Sequence, residues 1–296
     1  MTWISFVIIN IIATLLVGIF DYSFQKWVYK NPEFPAIVGA FFFLLYGFYE
    51  LSLGVHETRW WLLTYSFFAW TLTFLWVLSY FRALFSPTTP WFVGTIGKIQ
   101  MIFAFVIWIF LFRENLSHLQ LLWHALIFAG AMVVSLDHIK EWKNKKAIFY
   151  STLMALSYAF ANSLCKYLYK ISDFDSVFCL YCFGIFFWAI LCLIFTKNGK
   201  LFFWEFFRRP RYYFWLWMLT EFFWLIQFVT QNLAISKWPL TKVVFLMETY
   251  VAFLLLLSIF LAPVFPKYIP KEWGTNILKN IALVCVMLLW VWMTLS

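Results

Sequence analysis

Charge is what this sequence has least of. Only 12% of its 296 residues are charged, about half the roughly 25% of a soluble domain. That excludes a soluble globular protein, because there is too little polar surface to cover so much apolar side chain. No glycine-rich phosphate loop is present, nor any zinc-ligand spacing. The apolar blocks hold no aspartate pair of an intramembrane protease and no Ser/His dyad. These absences exclude nucleotide-driven pumping by this chain and argue against an enzyme, a cofactor or a metal site. Of four histidines, only His124 lies well inside an apolar block, where it reads as a packing residue. The five cysteines all fall in such blocks. Cys179 and Cys182 form a CxxC, but within a hydrophobic helix it reads as two small packing residues. The first apolar block lacks a basic start and a small-residue cleavage site, so it reads as a retained helix.

What is there is apolar and aromatic. Hydrophobic residues make up 65% and aromatics 25%, with 39 Phe and 19 Trp. Most apolar blocks exceed the roughly 18 residues that mark a membrane-spanning helix. Ten spans are predicted, near 3–25, 36–55, 60–81, 90–112, 117–137, 147–168, 176–196, 212–235, 239–264 and 275–294. Short connections force neighbours to run antiparallel. The fold class is therefore an all-α, multi-pass membrane protein, expected in the bacterial inner (plasma) membrane. The net charge of +9 would raise nucleic acid as a partner for a soluble protein. Here the basic residues sit in connections, where they orient helices. Their excess in the odd-numbered connections places both termini on the non-cytoplasmic side. The segment from Lys197 to Tyr213 mixes Phe, Trp, Lys and Arg. It reads as an orienting loop, or as an interfacial segment in contact with lipid headgroups.

One stretch occurs twice. Residues 18–30 and 158–170 share Phe20/Phe160, Ser23/Ser163, Lys26/Lys166, Tyr29/Tyr169 and Lys30/Lys170. The copies end spans one and six, and the polar run Lys140–Lys146 falls between. The chain thus divides into a five-helix repeat over 1–140, a basic connection over 141–146 and a second repeat over 147–296. With an odd number of crossings per unit, the second copy enters from the other side. The expectation is two inverted five-helix repeats.

Ionisable groups inside spans are expensive, about 2.5–3.5 kcal/mol each at the bilayer centre on insertion scales, and persist where they face a cavity or a partner. Glu248, Glu221 and Lys98 lie well inside predicted spans, with Gln100 two residues beyond Lys98. Glu221, Gln227, Gln231 and Asn232 fall near one face of span eight. Asn162 stands in the second repeat where Asp21 stands in the first. Trp76 and Tyr80, like Trp70, Trp108 and Trp224, offer aromatic walls. Lys26 and Lys166 lie near span ends and are expected to snorkel to the interface. The pattern predicts a midplane pocket with both signs of charge, or Lys98 pairing with Glu248 or Glu221 to lock the halves.

The stretch from Lys98 to Val134, "KIQMIFAFVIWIFLFRENLSHLQLLWHALIFAGAMVV", resembles the drug/metabolite transporter superfamily, EamA type. Gln100 takes the polar position at the start of the family's span, Glu114 the span-end Glu, Gln120 the Gln and Gly130 the final Gly. Trp123 replaces an earlier Gly. In the second half Glu248 takes the polar position, without the family's Pro or span-end Glu. The resemblance implies a small organic metabolite carried through a cavity lined by spans 1, 3, 4, 6, 8 and 9.

The expected function is a secondary transporter or exchanger working by alternating access on a polar or zwitterionic metabolite, with amino acids and derivatives favoured. Glu248 and Glu221 would take cationic groups or protons. Lys98 would take a carboxylate or phosphate, and Gln100, Gln227 and Gln231 would orient the substrate. A proton or a counter-substrate would supply coupling, with membrane lipids as neighbours. The other class is a non-transporting scaffold or lipid-handling protein.

Overall fold

A computed structural model of the chain describes residues 3–27, 31, 33–54, 59–86, 93, 96–97, 99–113, 117–118, 121–122, 125, 143–197, 201 and 211–247. Among these residues the regular structure is helical. The helices are α1 (Trp3–Trp27), α2 (Glu33–Leu53), α3 (Trp60–Leu84), α4 (Ile99–Phe112), α5 (Lys145–Ile171), α6 (Phe174–Phe195), α7 (Arg211–Lys237) and α8 (Leu240–Met247). Four of them, α2, α3, α5 and α6, are long and apolar enough to cross a membrane.

Several helices extend past the apolar runs predicted for them, because polar residues at the ends hold the first or last turn. Asn144 accepts from the Ala147 amide at 3.2 Å and starts α5 before the apolar run begins. Asp173 does the same for α6, accepting from Ser176 at 2.7 Å. Gly54 ends α2 at φ 104°, a left-handed conformation that glycine adopts without Cβ strain. Most of predicted spans five and ten, and the part of span nine after Met247, lie outside the described residues.

The side-chain distribution is that of a protein turned toward lipid. Leu45, Phe110, Phe149, Phe195 and Trp215 are exposed, whereas Asn10, Gln100, Asn162, Lys166, Glu221, Gln231 and Asn232 are buried. Exposed apolar surface is aggregation-prone in water and favourable against acyl chains. Buried polar groups in lipid must find partners inside the bundle.

The most extensive packing joins α3 to α5, α2 to α6 and α1 to α7. Tyr65 meets Tyr167 and Trp76 meets Tyr158, so α3 and α5 are antiparallel. Phe41 against Phe186 and Tyr46 against Phe178 make α2 and α6 antiparallel. Lys237 over Phe6 and Phe20 against Phe223 do the same for α1 and α7. Phe34 against Trp217 and Phe43 against Phe228 make α2 and α7 parallel. Trp108 bonds to Ser163 while Gly97 lies against Met154, so α4 runs parallel to α5. The larger core cluster gathers around α2, α3, α5, α6 and α7.

Candidate functional site

The site is built on α7. Glu221, Trp224, Phe228 and Gln231 recur three and four residues apart and so share one helical face. All four are buried, whereas Leu219 and Phe222 point outward. Glu221 is only 4% exposed. The Trp217 indole N–H, one turn earlier, donates to Glu221 Oε1 at 3.1 Å and fixes the carboxylate's orientation. Across from it lies Gly39 of α2, where a Cβ would stand 2.6 Å from Glu221 Oε2. A larger residue there would make the carboxylate shift from this position.

Pro35, Ala36, Gly39, Ala40, Phe43, Phe74, Val77, Phe81, Ile185, Trp224 and Phe228 complete a cleft with Glu221. Among the described residues lining it, Glu221 is the sole ionisable one. The free space in the cleft is about 20 Å³, room for one or two water molecules. Phe228 sits edge-on to Phe43 at 5.0 Å, and Trp224 lies 6.3 Å from Phe81.

Farther along α7 the chemistry changes to amides. Trp76 of α3 packs on Tyr158 of α5 at 4.7 Å and on Phe228 at 5.2 Å, while Tyr80 meets Trp224 at 5.8 Å. Gln231 Nε2 donates to Asn162 Oδ1 at 3.0 Å. Three buried polar atoms here have no hydrogen-bond partner: Trp224 Nε1 and Gln227 Oε1 of α7 and Asn162 Nδ2 of α5. Such orphans cost about 1–3 kcal/mol each, and in a native interior they call for an explanation.

The predicted residues are thus partly brought together. Glu221, Gln231, Asn162, Trp76 and Tyr80 meet around α7. Gln227 is half-buried beside them, its backbone carbonyl accepting from Asn10 Nδ2 of α1 at 2.6 Å. Gln100 is buried on the first turn of α4. Lys98 and Glu248 lie outside the described residues, and with them the expected Lys98 ion pair.

Lys166 corrects its prediction. It is 6% exposed and does not reach the interface. Its ammonium donates to the carbonyls of Ile235 at 2.6 Å and Trp238 at 2.7 Å. The last carbonyls of α7 lack intrahelical donors and carry the negative end of the helix dipole, so a cation there is worth more inside than at the surface. The neighbouring repeat residues also tie helices together. The Trp108 indole donates to Ser163 Oγ at 2.7 Å, and the Tyr169 hydroxyl donates to Asn232 Oδ1 at 2.8 Å. Cys179 Sγ lies 3.5 Å from the Gly47 carbonyl and Cys182 packs on the same glycine, joining α6 to α2 as packing residues do.

Sequence reasoning missed three polar features. Arg82 of α3 pairs with buried Glu33 of α2 at 3.0 Å, and its guanidinium also lies over the Tyr150 ring at 5.8 Å. The pair caps the end of the bundle just beyond Pro35 and Phe81 of the cleft. Asn10 and Glu50 are also buried. For Glu33 and Arg82 the available signal was opposite charges at the facing ends of two consecutive spans.

No family model and no curated protein matches the chain. A solved crystal structure superposes on it with a TM-score of 0.61 over 96% of this chain and 98% of the other, at 13% sequence identity. At that identity the likeness concerns the fold alone, which is shared over nearly the whole length of both chains.

Proposed function

We propose that this protein is a secondary transporter or exchanger of a small polar or zwitterionic organic metabolite, working by alternating access, with α7 supplying the central binding face. One observation carries the reading. A buried carboxylate and the unpartnered Trp224 Nε1 and Gln227 Oε1 lie on α7 in the interior of the bundle, with aromatic side chains of α2, α3 and α7 around the carboxylate. A purely structural face would be expected to satisfy its own hydrogen bonds, whereas a face that exchanges ligands keeps some free.

The helix arrangement supports two inverted halves. Exchanging α1 with α5, α2 with α6 and α3 with α7 turns the α1–α7 pair into the α5–α3 pair. The same exchange returns α2–α6 to itself. Both kinds of pair are the dominant ones. Because α1 opposes α7, α7 parallels α2, α2 opposes α3 through Glu33–Arg82, and α3 opposes α5, α1 and α5 run in opposite directions. Because α4 and α5 run the same way, Phe112 and Lys145 sit at opposite ends of the bundle, which favours a further span near 117–137. The reading also keeps the resemblance to EamA-type transporters, a bacterial inner-membrane location, and a proton or counter-substrate for coupling.

The test is reconstitution of the purified chain into proteoliposomes, followed by counterflow of labelled amino acids, nucleotides, sugars and organic cations. Saturable exchange of one class, lost in Glu221→Gln, is the expected result. No exchange of any class by a protein that melts cooperatively would overturn the reading in favour of a scaffold or lipid-handling protein.

A further inference from the structure

The repeat of residues 18–30 in 158–170 continues at the same spacing to Glu33/Asp173 and Phe34/Phe174. Glu33 opens α2, and Asp173 is the N-cap of α6. Each half also carries a basic residue in the last turn of its third helix, Arg82 in α3 and Lys237 in α7. An acid at the start of one helix and a base at the end of the next therefore occur once in each half. The two acids stand at opposite ends of the bundle, because α2 and α6 are antiparallel.

The halves use these residues differently. In the first, Arg82 pairs with Glu33 at 3.0 Å and holds the end of α3 on the start of α2. In the second, no ion pair joins Asp173 to Lys237 among the described residues. The Asp173 carboxylate accepts from the Ser176 amide at 2.7 Å, and the Lys237 ammonium lies 5.7 Å from the Phe6 ring centroid of α1. The end of α7 is held instead by Lys166 of α5. Packing follows the bonds. Among the described residues α3 lies more on α2 than on α1, and α7 more on α5 than on α6.

Two halves of like sequence that hold their third helices in different ways leave each half with an arrangement that only the other uses. An exchange of roles would set Lys237 on Asp173, draw the end of α7 from α5 toward α6, and release Arg82 from Glu33. Asp173 can keep its cap meanwhile, since a carboxylate accepts several bonds. A route between the two ends is present. Phe34, next to Glu33, packs on Trp217 of α7 at 5.2 Å, so a tilt of α7 reaches the Glu33–Arg82 pair. We propose that Asp173 and Lys237 form the counterpart of the Glu33–Arg82 pair in a second conformation, the two pairs forming alternately at opposite ends of the bundle. This rests on the inverted-half, alternating-access reading and names contacts that tell its two states apart.

The experiment is carbodiimide coupling of the full-length protein in detergent, which joins a carboxylate to an amine where the two touch, read by mass spectrometry of the digested chain. An Asp173–Lys237 cross-link is expected in the parent. In Arg82→Gln it should form about two- to fivefold faster, the range of one exposed ion pair, although residue 82 lies at the other end of the bundle. Glu33→Gln breaks the same pair from its other side and should give the same acceleration, which keeps the test open if the first variant fails to fold. Arg82→Lys should return the rate toward the parent's. A cross-link formed by local side-chain motion alone would ignore residues 33 and 82. Absence of the Asp173–Lys237 product, or a rate in both Gln variants equal to the parent's, would overturn the proposal. Counterflow by the same preparations separates the failures. Solute exchange without the linked change in coupling leaves transport standing and removes this pair. Linked coupling without exchange leaves the two conformations standing and removes transport.

Discussion

The two ends of the buried face of α7 are made of different chemistry. At Glu221 a single carboxylate stands among rings, held by one indole and by the close approach of Gly39. At Gln231 the side chain donates to Asn162 of α5, and just beyond it Lys166 and Tyr169 tie the end of α7 to α5. The first end places one buried carboxylate among rings, where a change of charge nearby is strongly felt. The second spends most of its hydrogen-bonding capacity on its neighbours and so holds the helices in register. A polar residue inside a membrane bundle is therefore not by itself a binding residue. What distinguishes the two ends is the kind of polar group each carries, a carboxylate among rings at one and amides bonded across to α5 at the other.

That contrast can be broken experimentally, and the largest expected effect is at the ligand end. Glu221→Gln should bring counterflow down to that of protein-free vesicles while leaving the melting temperature unchanged or higher, since a buried carboxylate is removed. Full exchange by this variant would erase the distinction between the ends. Lys166→Met should do the reverse. It deletes two hydrogen bonds from a charged donor to the α7 carbonyls, worth about 1.5–3 kcal/mol each. A clear fall in thermal stability is expected, with partial recovery in Lys166→Arg; a Met variant that melts like the parent would show the clamp to be idle.

Asn162→Leu sharpens the comparison within the network. It strands Gln231 and should cost about 1–3 kcal/mol. Adding Gln231→Leu should give a double variant less destabilised than the sum of the singles, because both partners are then apolar. Strict additivity would mean that the 3.0 Å bond contributes nothing. The smallest effect is expected at the end of the bundle. Arg82 is about a third exposed, so Arg82→Gln should cost at most about 1 kcal/mol, and that difference should shrink as salt is raised.

Much of this was legible in the linear chain. Long apolar blocks can only be helices in lipid, since each backbone amide must be satisfied within its own segment. The polar positions of α7 stood out because a helix places residues three and four apart on one side. The repeated stretch at Lys30 and Lys170 was also visible, although its role was not. Ser163, Lys166 and Tyr169 in the second copy bond to α4, to the end of α7 and to Asn232, and no local pattern names those partners. Glu33 and Glu50 escaped notice because each lies near the end of its span, where a polar residue usually faces water, and Asn10 because a single amide in an apolar block forms no stripe.

The division has a physical origin. Hydrophobic length and helical periodicity are properties of neighbouring residues, so the sequence by itself determined that this chain is helical, carries helices long and apolar enough to cross a membrane and hides a polar stripe on α7. Which helices become neighbours depends on side-chain packing between segments far apart in the chain. Only the tertiary structure decided that Gly39 admits Glu221, that Lys166 turns inward to cap α7, and that five aromatic rings gather around one carboxylate.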